Sequence, residues 1–490
     1  MNRGLLGLGR WSLTINRGEW KPRNFDVLII ELLQYALQGK VSKILLSLPS
    51  RHGKSTLISK NFVSYYLTHF PNESVILSSY EQKLASKFGK EVRETINEFG
   101  KLSPYNIRIS QDTKAKNNFQ VNKPYKGEMI AVGSGGALMG FGASLFIVDD
   151  PVKNVKDAES EVKQADLKDW FGATAKSRLQ TRKNGKPPII IVIAQRLDTM
   201  DLHGIIKTNE PHTPARNALA QLRSGAIIPE DVWVDFTLPA ICEDPTDDLL
   251  GRKKGEVLWE KQRSFDWLMA EKRAMGSYLF NCIYQNSPKE REGNIIKREW
   301  LTDKNGKWNC IIDKTEVPTG TPILRYWDLA ASQKKKRSKK RIETDKSSAM
   351  LGTDDGTYFY ILDWKKGKWS AKKVLRRFKQ VCEEDTNQID IYIEQEPASQ
   401  SKILIQNLQD EYPDYYIRPD KVSNSKRIRA FQLEALIEDR KFRIVKGEWN
   451  EDLLEELISF TGEEGGADDG VDCCTGLLNR FRRKIPEIIA

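Results

Sequence analysis

The sequence predicts an α/β chain in two parts, each built on a sheet whose strands end in chemically useful residues. Two observations lead there. In the first part, short runs rich in Val, Ile and Leu alternate with helical patterns, as a parallel sheet with crossover helices demands. In the second, acidic residues close one strand, then a later strand, and then open the last helix. Length agrees, because 490 residues correspond to two or three domains at roughly 100–200 residues each. An aromatic content of 9% argues against disorder.

The first strand is residues 41–48 (VSKILLSL), followed by Pro49-Ser50-Arg51-His52-Gly53-Lys54-Ser55-Thr56 and a helical pattern over 57–67. Strand, loop and helix come in the order a phosphate-binding loop needs. In this loop, Arg51 to Thr56, backbone N–H groups at the helix start are expected to cradle phosphate oxygens, Lys54 to reach the β and γ phosphates, the Ser55 hydroxyl to ligate magnesium, and Arg51 to place a catalytic guanidinium beside the γ phosphate. The first glycine of the usual pattern falls on Leu48. Residues 74–78 (SVILS), 144–148 (SLFIV) and 188–194 (PIIIVIA) supply further strands. The second of these ends in Asp149-Asp150-Pro151: Asp149 is expected to hold magnesium and Asp150 to polarise the attacking water. Gln195 and Arg196 follow the third. At the carboxyl end of a parallel strand they face the ligand crevice, where Gln195 can sense a phosphate and Arg196 couple it to motion, or Arg196 pairs with Asp198 or Asp201. The glycine-dense stretch 133–142 reads as a loop near substrate or a long turn.

The second part begins with Tyr326-Trp327-Asp328, an acid in a strand-like setting. A hairpin (347–351, 357–364), a basic helix (370–381) and a strand (389–393) ending in Glu394-Gln395-Glu396 follow. Near the end, Asp468, Asp469 and Asp472 open a helix, with Asp468 and Asp472 on one face. Carboxylates from two strands and a closing helix make the arrangement of an RNase H-like fold, in which such acids hold two metal ions ~4 Å apart.

Charge is unevenly distributed. The whole +11 lies before residue 315, and the remainder balances. Within that remainder, 334–341 packs seven basic residues into eight, including Lys334, Lys335, Lys336 and Arg337. This run is either a solvated loop or a phosphate-contacting segment; with the cluster Lys426, Arg427 and Arg429 it balances the acids of this part, which suggests DNA held at the rim of an acidic site. Six cysteines without a CxxC pair, beside four histidines, give no basis for a zinc site or disulfide framework. No run approaches the ~18–20 apolar residues of a membrane span, and residues 1–11 lack a secretory signal, so a soluble intracellular chain with no membrane partner is expected.

Taken in order, KPRNF (21–25), LPSRHGKS (48–55), FIVDDPVKN (146–154), AQRLDTMDLHG (194–204), YQNSP (284–288), YWDLAAS (326–332), YIEQEPAS (392–399), KRIRA (426–430) and ADDGVD (467–472) make a pattern. With these pieces the chain resembles the large subunit of a tailed-bacteriophage terminase over nearly its whole length. The resemblance implies an N-terminal P-loop ATPase domain of the ASCE type (1–225), a lid subdomain (226–312) and a C-terminal RNase H-like nuclease of the RuvC type (313–490). It implies ATP with Mg2+ in the first site, with Arg23 and Phe25 near the adenine. In the second it implies two Mg2+ or Mn2+ ions on Asp328, Glu394 and the 468–472 acids. Implied partners are double-stranded DNA, a portal protein, a terminase small subunit and further copies in a ring, a pentamer. The implied location is the cytoplasm of an infected cell and transiently the procapsid portal, not the mature virion. A helicase-like DNA-dependent ATPase with a non-cutting second domain is the alternative. Three departures stand out: Asp150 replaces a common Glu; Met139 and Phe141 occupy the places of an arginine offered to a neighbouring subunit, leaving Arg178 or Arg182; and 334–341 reads as an insertion.

Overall fold

The computed structural model describes residues 5–136, 138, 140–289, 294–329, 347–395, 399–422, 426–462 and 468–482. It divides into two units: Met1–Leu268 with Phe280–Lys289, and Met269–Leu279 with Glu290–Ala490. The segment expected as a lid, 226–312, is shared between them.

The strands of the first unit are β1 (Lys43–Ser47), β2 (Ser74–Ser79), β3 (Ile109–Lys114), β4 (Asn118–Val121), β5 (Glu128–Gly133), β6 (Leu145–Asp149), β7 (Ile189–Ala194), β8 (His212–Pro214) and β9 (Trp233–Thr237). They form one sheet in the order β3-β4-β5-β2-β6-β7-β1-β9-β8. Six of the pairings are parallel, and only the β3-β4-β5 edge is antiparallel. Strands β6 and β7 are buried along their whole length, which is why they read as unbroken apolar runs rather than alternating ones. Successive side chains still go to opposite faces. Ile189, Ile191 and Ile193 join a core with the helices Asn24–Leu37 and Gln82–Phe99, while Ile190 and Val192 pack with Phe146, Trp170 and Trp233. In register, Asp149 sits opposite Ile193, and Ser47 opposite Ala194. The carboxyl ends of β6, β7 and β1 therefore finish at one level, with β7 between the loop strand and the acid strand.

The second unit contains β10 (Ile311–Ile312), β11 (Ile323–Asp328), β12 (Ser347–Asp354), β13 (Phe359–Gly367), β14 (Asp390–Gln395), β15 (Ile417–Lys421) and β16 (Phe442–Val445), in the order β10-β16-β13-β12-β11-β14-β15. Here β11-β12-β13 are antiparallel and β11-β14-β15 parallel. One face is covered by the helix Asp469–Phe481, whose Cys473, Cys474, Leu477 and Leu478 pack with Tyr326 and Met350. The other face gathers Trp327, Phe378, Ile391, Ile393 and Ile405. Gly476 is what lets the helix come close, since a Cβ there would lie 2.1 Å from the Tyr326 ring. Buried Arg325 is held by two bonds of 2.6 Å to Asp385 and one of 3.0 Å to Asp363. The described cysteines are all buried thiols outside any disulfide. Among the described residues no helix is long and apolar enough to cross a membrane.

Candidate active sites

In the first unit the chain leaves β1 and turns through two left-handed residues, Arg51 (φ 59°) and Gly53 (φ 82°). The positive φ of Gly53 favours glycine, and a Cβ there would also meet the end of the Arg23 side chain, Nη2, at 2.9 Å. The helix that follows opens with a π-helical stretch, Thr56–Phe62, and continues as Val63–His69. Ser55 and Ser59 lie one turn apart on the same side. Both hydroxyls donate to Asp149, at 3.0 and 2.5 Å. Burial pushes the Asp149 carboxyl up to about 7, and the charge of Asp150 adds to this, while the two serines and Lys54 act against it. Asp150 is itself left-handed (φ 45°). Its Oδ1 lies 3.6 Å from Lys54 Nζ and accepts the Gln195 backbone N–H at 3.3 Å. Lysine, hydroxyl and two acids thus converge at the sheet's carboxyl edge, as phosphoryl transfer needs.

Beside the loop stands an aromatic cluster that sequence reading captured only in part. Arg23 forks onto Asp26 at 2.5 and 2.8 Å, and its guanidinium lies 4.5 Å from the Phe25 ring centre and 4.1 Å from that of Trp259. His52 is in the same group, with its ring centre 5.9 Å from that of Trp259. Burial lowers its pKa to about 4, so the ring is neutral near pH 7. Its Nδ1–H donates to the Ser50 carbonyl at 2.9 Å, which leaves buried Nε2 as an acceptor with no partner among the described residues. Asp26 had a local signal, three residues after Arg23; Trp259, some two hundred residues away, had none. Thr56 and Arg51 are exposed.

Arg196 is buried and its Nε lies 3.0 and 2.9 Å from the Asp201 carboxylate. That same carboxylate caps the helix Leu202–Asn209. Arg196 thus makes the ion pair with Asp201 that its spacing allowed. Its backbone N–H donates to Asn286 Oδ1 at 3.4 Å, and Ser50 N–H donates to the Ile283 carbonyl at 3.4 Å, so segment 283–286 touches both loop and sheet edge. Arg182, one of two candidates for an arginine offered to a neighbour, is spent internally. Its guanidinium donates to the carbonyls of Pro187, Leu37 and Ala36 at 2.7–3.0 Å, ending the helix Asn24–Leu37. A cavity of about 420 Å³, lined by Tyr80, Ser134, Pro151, Lys163, Trp170 and Met200 among others, adjoins this edge.

In the second unit Asp328 ends β11 and Glu394 lies near the end of the neighbouring parallel strand β14. Asp468 immediately precedes the helix that carries Asp469 and Asp472 in its first turn. Desolvation holds the Asp328 carboxyl well above the usual range, and the charges of Glu394, Asp472 and Asp469 push it further, against Lys426. Asp472 is raised to about 6, again by burial first. Basic groups sit directly on these acids. Arg429 bridges Glu394 (3.0 Å) and Asp472 (2.9 Å), and Lys426 bridges Asp468 (2.7 Å) and Asp472 (2.6 Å). Of the cluster Lys426, Arg427 and Arg429, Lys426 and Arg429 are thus engaged by the acids, and the Arg427 stem lies beside Gly462. The Tyr326 hydroxyl donates to Asp420 at 2.9 Å and lies 3.3 Å from Glu394 Oε2, and Arg480 pairs with Asp420. Neither Tyr326 nor Asp420 was singled out from sequence; β15, which carries Asp420, has no chemical signature of its own. Met139, Lys334, Lys335, Lys336, Arg337 and Glu396 lie outside the described residues.

Among the described residues no three acids, histidines or cysteines are gathered closely enough to hold a metal ion. Carboxylate oxygens are the ligand type a hard divalent cation takes, and an ammonium and a guanidinium stand on those oxygens as positive charges.

Residues 45–170 match the family model described as the T4-like-virus-type N-terminal domain of the terminase large subunit, and residues 325–481 that of the terminase RNase H-like domain. The chain belongs to the terminase large subunit family. Lys54, Ser55, Asp149 and Asp150 of this terminase subunit fall within the first match, and Asp328, Glu394, Asp468 and Asp472 within the second. Arg23, Gln195, Arg196 and Trp259 lie outside both. Among solved structures, a large terminase from a thermophilic bacteriophage is 11% identical, with 90% of this chain and 93% of that one covered at a TM-score of 0.46. The HK97 bacteriophage large terminase is 13% identical over 97% and 99%, at 0.37. The P22 large terminase nuclease domain is 17% identical over 39% and 93%, at 0.29. Among curated proteins none matches. The two family models carry the assignment.

Proposed function

We propose that this subunit hydrolyses ATP to drive double-stranded viral DNA into a procapsid and cuts the concatemer with divalent metal ions. The observation that carries this reading is the presence, in one chain of the family, of two acid-bearing strand-end sites of different construction. One combines Lys54, Ser55, Asp149 and Asp150 around a phosphate loop; the other combines Asp328, Glu394 and Asp472. In the first, Lys54 and the loop N–H groups hold phosphate, Ser55 and Asp149 would hold magnesium, and Asp150 orients the attacking water. The Arg23, Phe25, His52 and Trp259 cluster offers flat surfaces and one acceptor nitrogen to a base. In the second, Asp328, Glu394, Asp472 and Asp468 would hold Mg2+ or Mn2+, which when bound supplies charge stabilisation for phosphodiester hydrolysis. Tyr326 and Arg429 orient Glu394. Partners on this reading are double-stranded DNA, the portal protein, the small subunit and further copies in a five-membered ring, working in the cytoplasm of an infected cell.

The test separates the two sites. Lys54→Ala should lower ATP turnover by ~10²–10³-fold, the scale for losing one group that stabilises transition-state charge, and leave plasmid cleavage intact. Asp328→Asn should do the reverse. Wild-type ATP turnover in Lys54→Ala would sink the motor reading. A second reading, a DNA-dependent ATPase whose second domain binds without cutting, draws on the acids' engagement by Lys426 and Arg429; absence of cleavage in Mg2+ and in Mn2+ would favour it.

A further inference from the structure

We propose that Lys426 is a built-in counter-ion of the carboxylate site. Its ammonium occupies the position between Asp468 and Asp472 that a divalent cation takes, and withdraws to solvent on loading. This rests on the nuclease reading above.

Three features single out Lys426. Its Nζ is 2.7 Å from Asp468 Oδ2 and 2.6 Å from Asp472 Oδ2, so one point charge holds together two acids from the start of one helix. Its side chain is 46% exposed, whereas that of Arg429, which shares Asp472 with it, is 5% exposed. Arg429 forks between Glu394 and Asp472, and its planar guanidinium is fixed by that geometry. The lysine stem is flexible and its head is strongly hydrated, so it can exchange the carboxylates for water, at the cost of its two ion pairs. The third feature is its address. The helix Lys426–Glu438 has no acid in its first turn and opens with Lys426, Arg427 and Arg429. Cations at a helix N-terminus oppose the macrodipole. Helix stability does not account for a lysine there; the acids it meets do.

An ion entering between Asp468 and Asp472 meets the ammonium on the same oxygens. Removing that charge therefore tightens metal binding, by roughly 10- to 100-fold, the scale of one partly screened unit charge a few ångströms from a divalent ion. Arg429 stays and keeps Glu394 and Asp472 from repelling each other.

The experiment titrates Mn2+ into the full-length, nucleotide-free protein, reading free Mn2+ by electron paramagnetic resonance and heat by calorimetry. Wild type, Lys426→Met, Lys426→Gln, Lys426→Arg and Asp472→Asn are compared, with circular dichroism melts confirming that each is folded. Binding lost in Asp472→Asn identifies this site. At that site the two neutral variants should bind at least tenfold more tightly, and Lys426→Arg should stay near wild type. Unchanged or weaker binding in both neutral variants overturns the proposal, because Lys426 is then a spectator or an organiser of the acids. If no variant shows Asp472-dependent binding, the metal-dependent nuclease reading falls instead.

Discussion

Asp149 offers a direct way to weigh the electrostatics of the first site. Its carboxyl is raised from 3.8 to about 7 in the folded protein, chiefly by burial. Between those values the folded state holds a proton that the unfolded chain has released, so stability is highest below the unfolded pKa and is lost as pH rises through the folded one. At about 1.4 kcal/mol per unit, the full span is on the order of 4 kcal/mol, of which roughly 2–3 kcal/mol lies between pH 5 and 8. Asp149→Asn removes the titration while keeping an oxygen for one of the two serine hydroxyls. His52 and His203, both lowered to about 4 by burial, act in the opposite sense, but they are common to both proteins and cancel in the difference. The assay is urea unfolding of nucleotide-free protein at several pH values, following the transition that moves when ATP is added. Wild type should lose stability relative to Asp149→Asn as pH rises, and the variant should be the more stable of the two at pH 8 while failing to hydrolyse ATP. Parallel profiles from pH 5 to 8 would refute the argument that burial governs this acid.

Two further substitutions address residues with structural and functional readings. Arg196→Met leaves Asp201 buried without its cation and should cost about 3–5 kcal/mol, read as a lowered melting temperature; unchanged stability with lost ATPase would instead make Arg196 purely a coupling group. Gly476→Ala drives a methyl into the Tyr326 ring and should cost about 1–3 kcal/mol. Because the same helix carries Asp472, plasmid cleavage should fall with it, and wild-type melting would contradict the packing described.

What was legible in the sequence was local and periodic. The strand, loop and helix around Lys54 follow one another without interruption, and Asp149, Asp150, Asp328 and Glu394 sit at the ends of apolar runs, so strand ends announced the sites. Boundaries moved by a residue or two: the strand read over 41–48 is Lys43–Ser47, and the helix read over 57–67 opens in π geometry. The antiparallel strands β3 and β4 went unread because their segments are short and polar, and β5 was missed although Met129, Ile130, Ala131 and Val132 make it an apolar run. Ser59 was accessible in principle, one helical turn after Ser55. Trp259 was not, because nothing in a sequence says that a distant ring will cover Arg23. Lys426 and Arg429 show the limit most plainly, since a cluster of positive charge states its sign but not its partner, and here the partner is an acid of the same chain.

The two sites meet one problem in different ways. Each buries a carboxylate at the end of a sheet, where desolvation disfavours its charge. Asp149 is satisfied by two neutral hydroxyls, and the nearby Lys54 is closest to Asp150 rather than to it. Its own negative charge is therefore left without a paired cation, and the raised pKa follows. Asp472 has two cations within 3 Å and is nonetheless raised, so burial outweighs even paired charge there. Hydroxyl donors satisfy oxygen lone pairs without adding charge, so they ready a carboxylate for a cation still to come; an ammonium satisfies the same lone pairs and supplies the charge as well. Construction from serines suits an acid that takes up a cation together with a phosphate substrate. Construction from lysine and arginine suits an acidic cluster that must stay folded, and free of self-repulsion, until its cations are exchanged.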